Sequence, residues 1–182
     1  MTLRIASLNM NGCREALRRY YAASLAKQHN VSVLFVQETH LPFFSHFSNT
    51  SSGVATVLSP NFTPDTVSQV EVIKGRVLDV RAQVGNTAIH LVNVYAPTTD
   101  SERPGFLQLL RNHLGGIPED EFVVMGGDYN CTLDALDRTG KGHCNAKLWG
   151  ELQALLDPSD LVDVWQLHHP RRRSFTYTRT RV

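Results

Sequence analysis

Four apolar runs in this chain each end abruptly in a short polar cluster, and this punctuation constrains the fold more than any other feature. The clusters are Ile5-Ala6-Ser7-Leu8-Asn9-Met10-Asn11-Gly12, Phe35-Val36-Gln37-Glu38-Thr39-His40, Val92-Asn93-Val94-Tyr95-Ala96-Pro97 and Val123-Val124-Met125-Gly126-Gly127-Asp128-Tyr129-Asn130. A short run rich in branched and aromatic residues predicts a buried strand. Asn, Glu, Tyr or Asp directly after it predicts that the strand stops at a polar rim. Strand ends from distant parts of a chain can meet at one rim of a sheet. A rim with two carboxylates, a phenol and several amides suits divalent-metal phosphoester chemistry.

Between the clusters the pattern alternates. Strands are predicted over Leu3–Met10, Val31–Gln37, Ser52–Ser59, Gln69–Ile73, Arg76–Val84, Thr87–Tyr95 and Phe122–Met125. Helices are predicted over Cys13–His29, Pro104–Leu114 and Ala146–Leu156. In the first helix Leu17, Tyr20, Tyr21, Ala23, Ser24 and Leu25 can form an inner face. Alternation from Arg76 to Ala82 predicts a half-exposed strand. Gly85-Asn86 between two such runs predicts a tight antiparallel hairpin. Leu161 to Trp165 continues an apolar stretch, and Phe175-Thr176-Tyr177-Thr178 opens one more strand. A hairpin among alternating strands and helices excludes a purely parallel doubly wound sheet. It predicts an α/β fold of mixed sheets packed face to face, with helices outside. With no repeat or linker, residues 1–182 read as a single domain.

With 18 basic and 17 acidic side chains, net charge argues neither for nor against nucleic acid. Distribution says more: Arg171, Arg172, Arg173, Arg179 and Arg181 occur with no acid among them, as either a solvated tail or a phosphate-facing patch. The three cysteines are odd in number and lack CxxC spacing, which speaks against a zinc site or disulfide framework and for reduced thiols in an intracellular compartment. No apolar run approaches the ~20 residues of a membrane span, so a membrane is not expected as a partner. No secretory signal is read at the N-terminus.

Taken singly, each cluster has a plain structural alternative. Glu38 can bind a hard cation at a strand end, or simply start a surface loop. Asp128 can orient or deprotonate a water and Asn130 can hold it or a phosphate oxygen, or both can serve an Asx-type turn after Gly126-Gly127. Tyr95 offers a phenolic donor, or fills the core. Asn9 and Asn11, two residues apart, face one side if both lie on a strand. Four clusters at four strand ends shift the balance towards a site.

The wording of these clusters resembles the endonuclease/exonuclease/phosphatase superfamily. Ser7-Leu8-Asn9-Met10-Asn11-Gly12, Gln37-Glu38-Thr39-His40, Asn93-Val94-Tyr95-Ala96-Pro97 and Gly127-Asp128-Tyr129-Asn130 look most like the endonuclease domain of LINE-type (non-LTR) retrotransposons. Leu161-Val162-Asp163-Val164-Trp165, His169-Pro170 and Ser174-Phe175-Thr176-Tyr177 are similar to that family's later text. The resemblance implies a four-layer αββα sandwich of two mixed sheets, like DNase I. It implies Mg²⁺-dependent hydrolysis (Mn²⁺ as a substitute) that nicks double-stranded target DNA and leaves a 3′-hydroxyl. Carried over, Glu38 binds metal with help from Asn9, and Asp128 positions or activates the water. Asn130 and Tyr95 hold the scissile phosphate. Asn11, His40, Thr176, Arg171, Arg172 and Arg173 lie against DNA. A nuclear location and a reverse transcriptase in the same polyprotein are implied as well.

Two departures stand out. The segment between His40 and Ser51 is shorter than the family's, as if a surface loop were deleted. The family's final strands and its Ser-Asp-His motif have no counterpart before Val182. The expectation is a C-terminally truncated domain with low activity and an exposed sheet edge that favours self-association. A noncatalytic binding module and a phosphatase of small or lipid phosphoesters are the competing readings.

Overall fold

The structure, a computed structural model, describes residues 2–40, 53–131, 146–156 and 160–172. Strands β1 (Ile5–Asn9), β2 (Val33–Gln37) and β3 (Val54–Leu58) form one sheet in that order, β1 and β2 parallel, β2 and β3 antiparallel. Strands β4 (Thr66–Ile73), β5 (Val77–Val84), β6 (Thr87–Tyr95) and β7 (Phe122–Asp128) form the other, antiparallel except for the parallel β6–β7 pair. Both sheets are mixed, as predicted. The β5–β6 hairpin turns at Gly85-Asn86, where Gly85 takes φ +57°.

Period-two alternation sorts side chains into layers. Odd residues of β1 and β2 and the alternate set on β5 and β6 meet between the sheets: Ile5, Val33, Phe35, Leu78, Val80, Leu91 and Tyr95 share one core. Val77, Val92 and Val94 point the other way, under α2 (Arg103–Leu114) and α3 (Ala146–Leu156). There Phe106, Leu107, Leu110, Leu114, Leu152 and Leu155 cover them, each such burial stabilising by about 1.5–3 kcal/mol. Leu34, Val36 and Ala55 face outward from the first sheet, against Ala26 of α1 (Ala16–Gln28). The order is therefore helix, sheet, sheet, helices: the four-layer αββα sandwich. A short α4 (Val164–His168) follows, capped by the Asp163 carboxylate on the Gln166 N–H at 3.0 Å.

Two sequence expectations are corrected here. The first helix does not present Leu17, Tyr20, Tyr21, Ala23, Ser24 and Leu25 to the core. Tyr20 and Tyr21 are 66% and 62% exposed, and only Ala22 and Ala26 are half-buried on α1. The small alanines let the helix lie close on the sheet, which leaves the large side chains outside. Second, β5 is not half-exposed. It is an inner strand covered on both faces, and Asp79 within it is 3% exposed. Asp79 tolerates this because His90 Nδ1 and His113 Nε2 each lie 2.7 Å from its Oδ2. The strand expected over Phe175–Thr178 lies outside the described residues.

Candidate active site

β1, β2, β6 and β7 end at a common rim, and each delivers one member of a polar cluster. β1 ends with Asn9, β6 with Tyr95 and β7 with Asp128, while Glu38 follows β2 directly. The Asn9 side-chain amide donates to Glu38 Oε1 at 2.9 Å and to Asp128 Oδ2 at 3.0 Å. The Tyr95 hydroxyl donates to the same Glu38 Oε1 at 2.9 Å. Four residues separated by up to 119 positions thus form one hydrogen-bonded network.

Backbone geometry explains how the rim is held. The segments after β1 and β2 are zipped together: Met10, Gly12 and Cys13 N–H groups donate to the Gln37, Glu38 and Thr39 carbonyls. Four of the six non-glycine residues with positive φ among the described residues sit here, namely Asn11, Glu38, His40 and Asn130. Such backbone is costly and persists only where the surroundings over-determine it. Gly126 and Gly127 let β7 lie close against its neighbours in the fold. A Cβ on Gly126 would press on the Phe35 ring, and one on Gly127 (φ +142°) would collide with the Val94 carbonyl.

Asp128 also accepts the Asn130 N–H at 2.9 Å, so the Asx turn and the site coexist at this carboxylate. The Asn130 side chain donates to the Ala96 carbonyl at 2.8 Å, which ties β7 to the segment after Tyr95. Asn11 is corrected: it lies beyond the end of β1 with φ +46°, and its N–H, not a shared strand face, joins it to Asn9 Oδ1 at 3.0 Å. His40 Nε2 stands 3.7 Å from Glu38 Oε2. Arg171 and Arg172 lie outside this network on the exposed segment after α4, Arg172 over the Trp165 ring at 5.9 Å from its centroid. Arg173 and Thr176 lie outside the described residues.

Electrostatics suit the geometry. Partial burial disfavours charge on Glu38, but hydrogen bonds from Asn9 and Tyr95 and the nearby His40 ring outweigh it and hold the carboxyl below its ordinary pKa. Burial, followed by the bond to Glu38, pushes the Tyr95 phenol up to about 12. Tyr95 is therefore a protonated donor throughout neutral pH. Tyr129 is pushed up by burial and packs in the core beneath α2 and α3.

Arg76 was not singled out in the sequence, where it opens a strand pattern. Its guanidinium lies 5.1 Å from the Tyr95 ring centroid and donates to the Ala96 carbonyl. Gln37 and Asn93 carry a subtler signal, since a primary amide inside an apolar run calls for a buried partner.

Would a divalent cation fit? Glu38 and Asp128 supply charged oxygen donors, and His40 Nε2 stands 3.7 Å from Glu38 Oε2. Among the described residues no three His, Cys, Asp or Glu side chains form a closed ligand group. One or two carboxylates with open positions suit Mg²⁺, which keeps waters and takes substrate phosphate oxygens. The residues fit.

A four-layer sandwich with an amide–carboxylate–phenol rim is chemically suited to phosphoesters. The chain belongs to the Endonuclease/Exonuclease/phosphatase family, whose pattern matches residues 6–181. It is 38% identical over 196 residues to the Transposon TX1 uncharacterized 149 kDa protein of Xenopus laevis, a match that spans 100% of this chain and 15% of that protein. Among solved structures, an AP endonuclease from Archaeoglobus fulgidus superimposes with a TM-score of 0.79 at 23% identity, over 100% of this chain and 80% of its own. The endonuclease domain of TRAS1, a telomere-specific non-LTR retrotransposon, superimposes with a TM-score of 0.65 at 17% identity, over 84% and 72%. At these identities the two structures speak for the fold. No helix among the described residues is long and apolar enough to cross a membrane.

Proposed function

We propose that this chain is a Mg²⁺-dependent endonuclease that hydrolyses phosphodiester bonds of double-stranded DNA and leaves a 3′-hydroxyl. The observation that carries the proposal is the Asn9 amide bridging Glu38 and Asp128, with Tyr95 on Glu38. Glu38 would hold the metal, with Asn9 fixing its carboxylate. Mg²⁺, when bound, supplies positive charge at the phosphate oxygens. Asp128, oriented by Asn9 and the Asn130 N–H, holds the attacking water and takes its proton. Tyr95 stays protonated, and with substrate bound its one O–H would turn from Glu38 Oε1 to the charge developing on the phosphoryl oxygens, an electrostatic contribution that dominates such reactions. Water forms the new P–O bond and the P–O3′ bond breaks, with a proton ending on the 3′ oxygen.

The transposon relative, of which this chain spans 15%, supports a transposon setting within a longer polypeptide; a reverse transcriptase in that polypeptide and work in the nucleus are part of the same proposal. His40, Asn11, Arg171 and Arg172 would meet the DNA backbone. The deciding experiment is nicking of supercoiled plasmid with Mg²⁺, with EDTA and Glu38→Gln controls. Metal-dependent nicking lost in Glu38→Gln is the expected result. Folded protein that binds plasmid without nicking it would replace the enzyme with a binding module.

A further inference from the structure

Just inside the rim lies a second polar layer. The Ser7 hydroxyl donates to Gln37 Oε1 at 3.2 Å, and Gln37 Nε2 donates to Asn93 Oδ1 at 2.7 Å. Asn93 Nδ2 donates to the Val36 carbonyl at 3.2 Å and the Ala55 carbonyl at 2.8 Å. Gln37 and Asn93 are 1% and 0% exposed. Two amides buried between apolar sheets gain little over aliphatic residues of the same volume. What they add is direction.

Asn93 belongs to β6 of one sheet, yet its amide grips two paired strands of the other, because Val36 and Ala55 face each other across β2 and β3. Apolar contacts between sheets tolerate sliding, whereas hydrogen bonds of 2.7–2.8 Å do not. Each member stands one or two residues before a rim residue: Ser7 before Asn9, Gln37 before Glu38, Asn93 before Tyr95. A slip of about 1 Å between the sheets would carry the Tyr95 hydroxyl out of hydrogen-bond range of Glu38.

We propose that Gln37 and Asn93 are positioning residues that set the register of the two sheets and thereby align Tyr95, Glu38 and Asn9 at the rim. Its catalytic consequence rests on the nuclease reading; the alignment itself does not. The test is a double-mutant cycle in metal-free protein, read by thermal unfolding. Tyr95→Phe should lower Tm by about 5 °C in the otherwise unchanged chain, as expected for loss of a hydrogen bond to a carboxylate in a domain this size. In Gln37→Met or Asn93→Leu backgrounds that loss should shrink to under about 2 °C. An undiminished loss in both overturns the proposal, since mere core filling would leave the Tyr95 bond untouched.

If both background variants fail to fold, Ser7→Ala at the exposed end of the chain serves instead. A reduced Tyr95→Phe loss there supports the alignment, and an unchanged one overturns it. In the nicking assay Gln37→Met should lower kcat at least about 10-fold with KM for DNA within about twofold. A wild-type kcat in Gln37→Met overturns the proposal. Wild-type protein that does not nick defeats the nuclease reading and leaves the cycle to judge the alignment.

Discussion

Asn9→Ala removes one nitrogen that stands 2.9 Å from Glu38 Oε1 and 3.0 Å from Asp128 Oδ2. The two oxygens therefore lie at most about 6 Å apart. At an effective dielectric of about 20, two unit charges at that distance repel by about 3 kcal/mol. The rim is partly open to water, which screens this to about 1–2 kcal/mol. The two lost hydrogen bonds add about 1 kcal/mol once water replaces the amide. The sum, about 2–3 kcal/mol, corresponds to a fall of about 30- to 160-fold in kcat/KM for plasmid nicking. The deficit should be largest at low Mg²⁺ and narrow as Mg²⁺ rises, because a cation held by Glu38 would offset the charge that the Asn9 amide otherwise neutralises. Initial nicking rates across a Mg²⁺ titration measure this. Rates within about twofold of wild type at every Mg²⁺ concentration would refute the bridging role.

Three further outcomes are expected. Asp128→Asn should lower turnover by about 10²- to 10⁴-fold with DNA affinity, read by fluorescence anisotropy, changed only a few-fold; a large affinity loss at normal turnover would contradict the water-holding role. Stability should depend on pH at both extremes. Glu38 is held below its ordinary pKa, so its contribution is present above about 4.3 and is lost as pH falls through the lower folded value. Tyr95 is raised to about 12, so its contribution is present below about 10 and is lost as pH rises through the folded value. Urea unfolding of wild type and Tyr95→Phe should converge at high pH, and a gap that widens there would reverse the assigned sign. Gly127→Ala places a Cβ against the Val94 carbonyl at φ +142°, so it should cost more than about 3 kcal/mol and lower Tm by about 10 °C in differential scanning fluorimetry. A wild-type Tm would show that β7 can shift away from β6 at no cost.

Much of the rim was legible because its residues break a simple pattern. Asn9, Glu38, Tyr95 and Asp128 each end an apolar run, and a polar residue there signals a strand that stops at a surface. Gly85-Asn86 dictated its hairpin through local backbone freedom alone. Boundaries held where turn residues punctuate them, as at Thr87–Tyr95 and at the end of α2 at Leu114 before Gly115-Gly116. The first helix was misread because helical periodicity marks apolar residues without weighing size against the space available. Ala22 and Ala26 won the contact with the sheet, and Tyr20 and Tyr21 stayed outside. The exposure of β5 was misread because local alternation cannot see that α2 would bring His113 onto Asp79.

The sequence by itself determined which strands form, where they stop and which functional groups stand at their ends, because these follow from side-chain period and turn chemistry within a few residues. Only the tertiary structure decided that the Asn9 amide spans two carboxylates, that Glu38 shares an oxygen with Tyr95, and that Gln37 and Asn93 lock one sheet against the other. Those contacts join residues 29 to 119 positions apart, and no local rule reaches across such distances. They exist because two sheets stack at one angle and register, and packing and buried hydrogen bonds choose that register together.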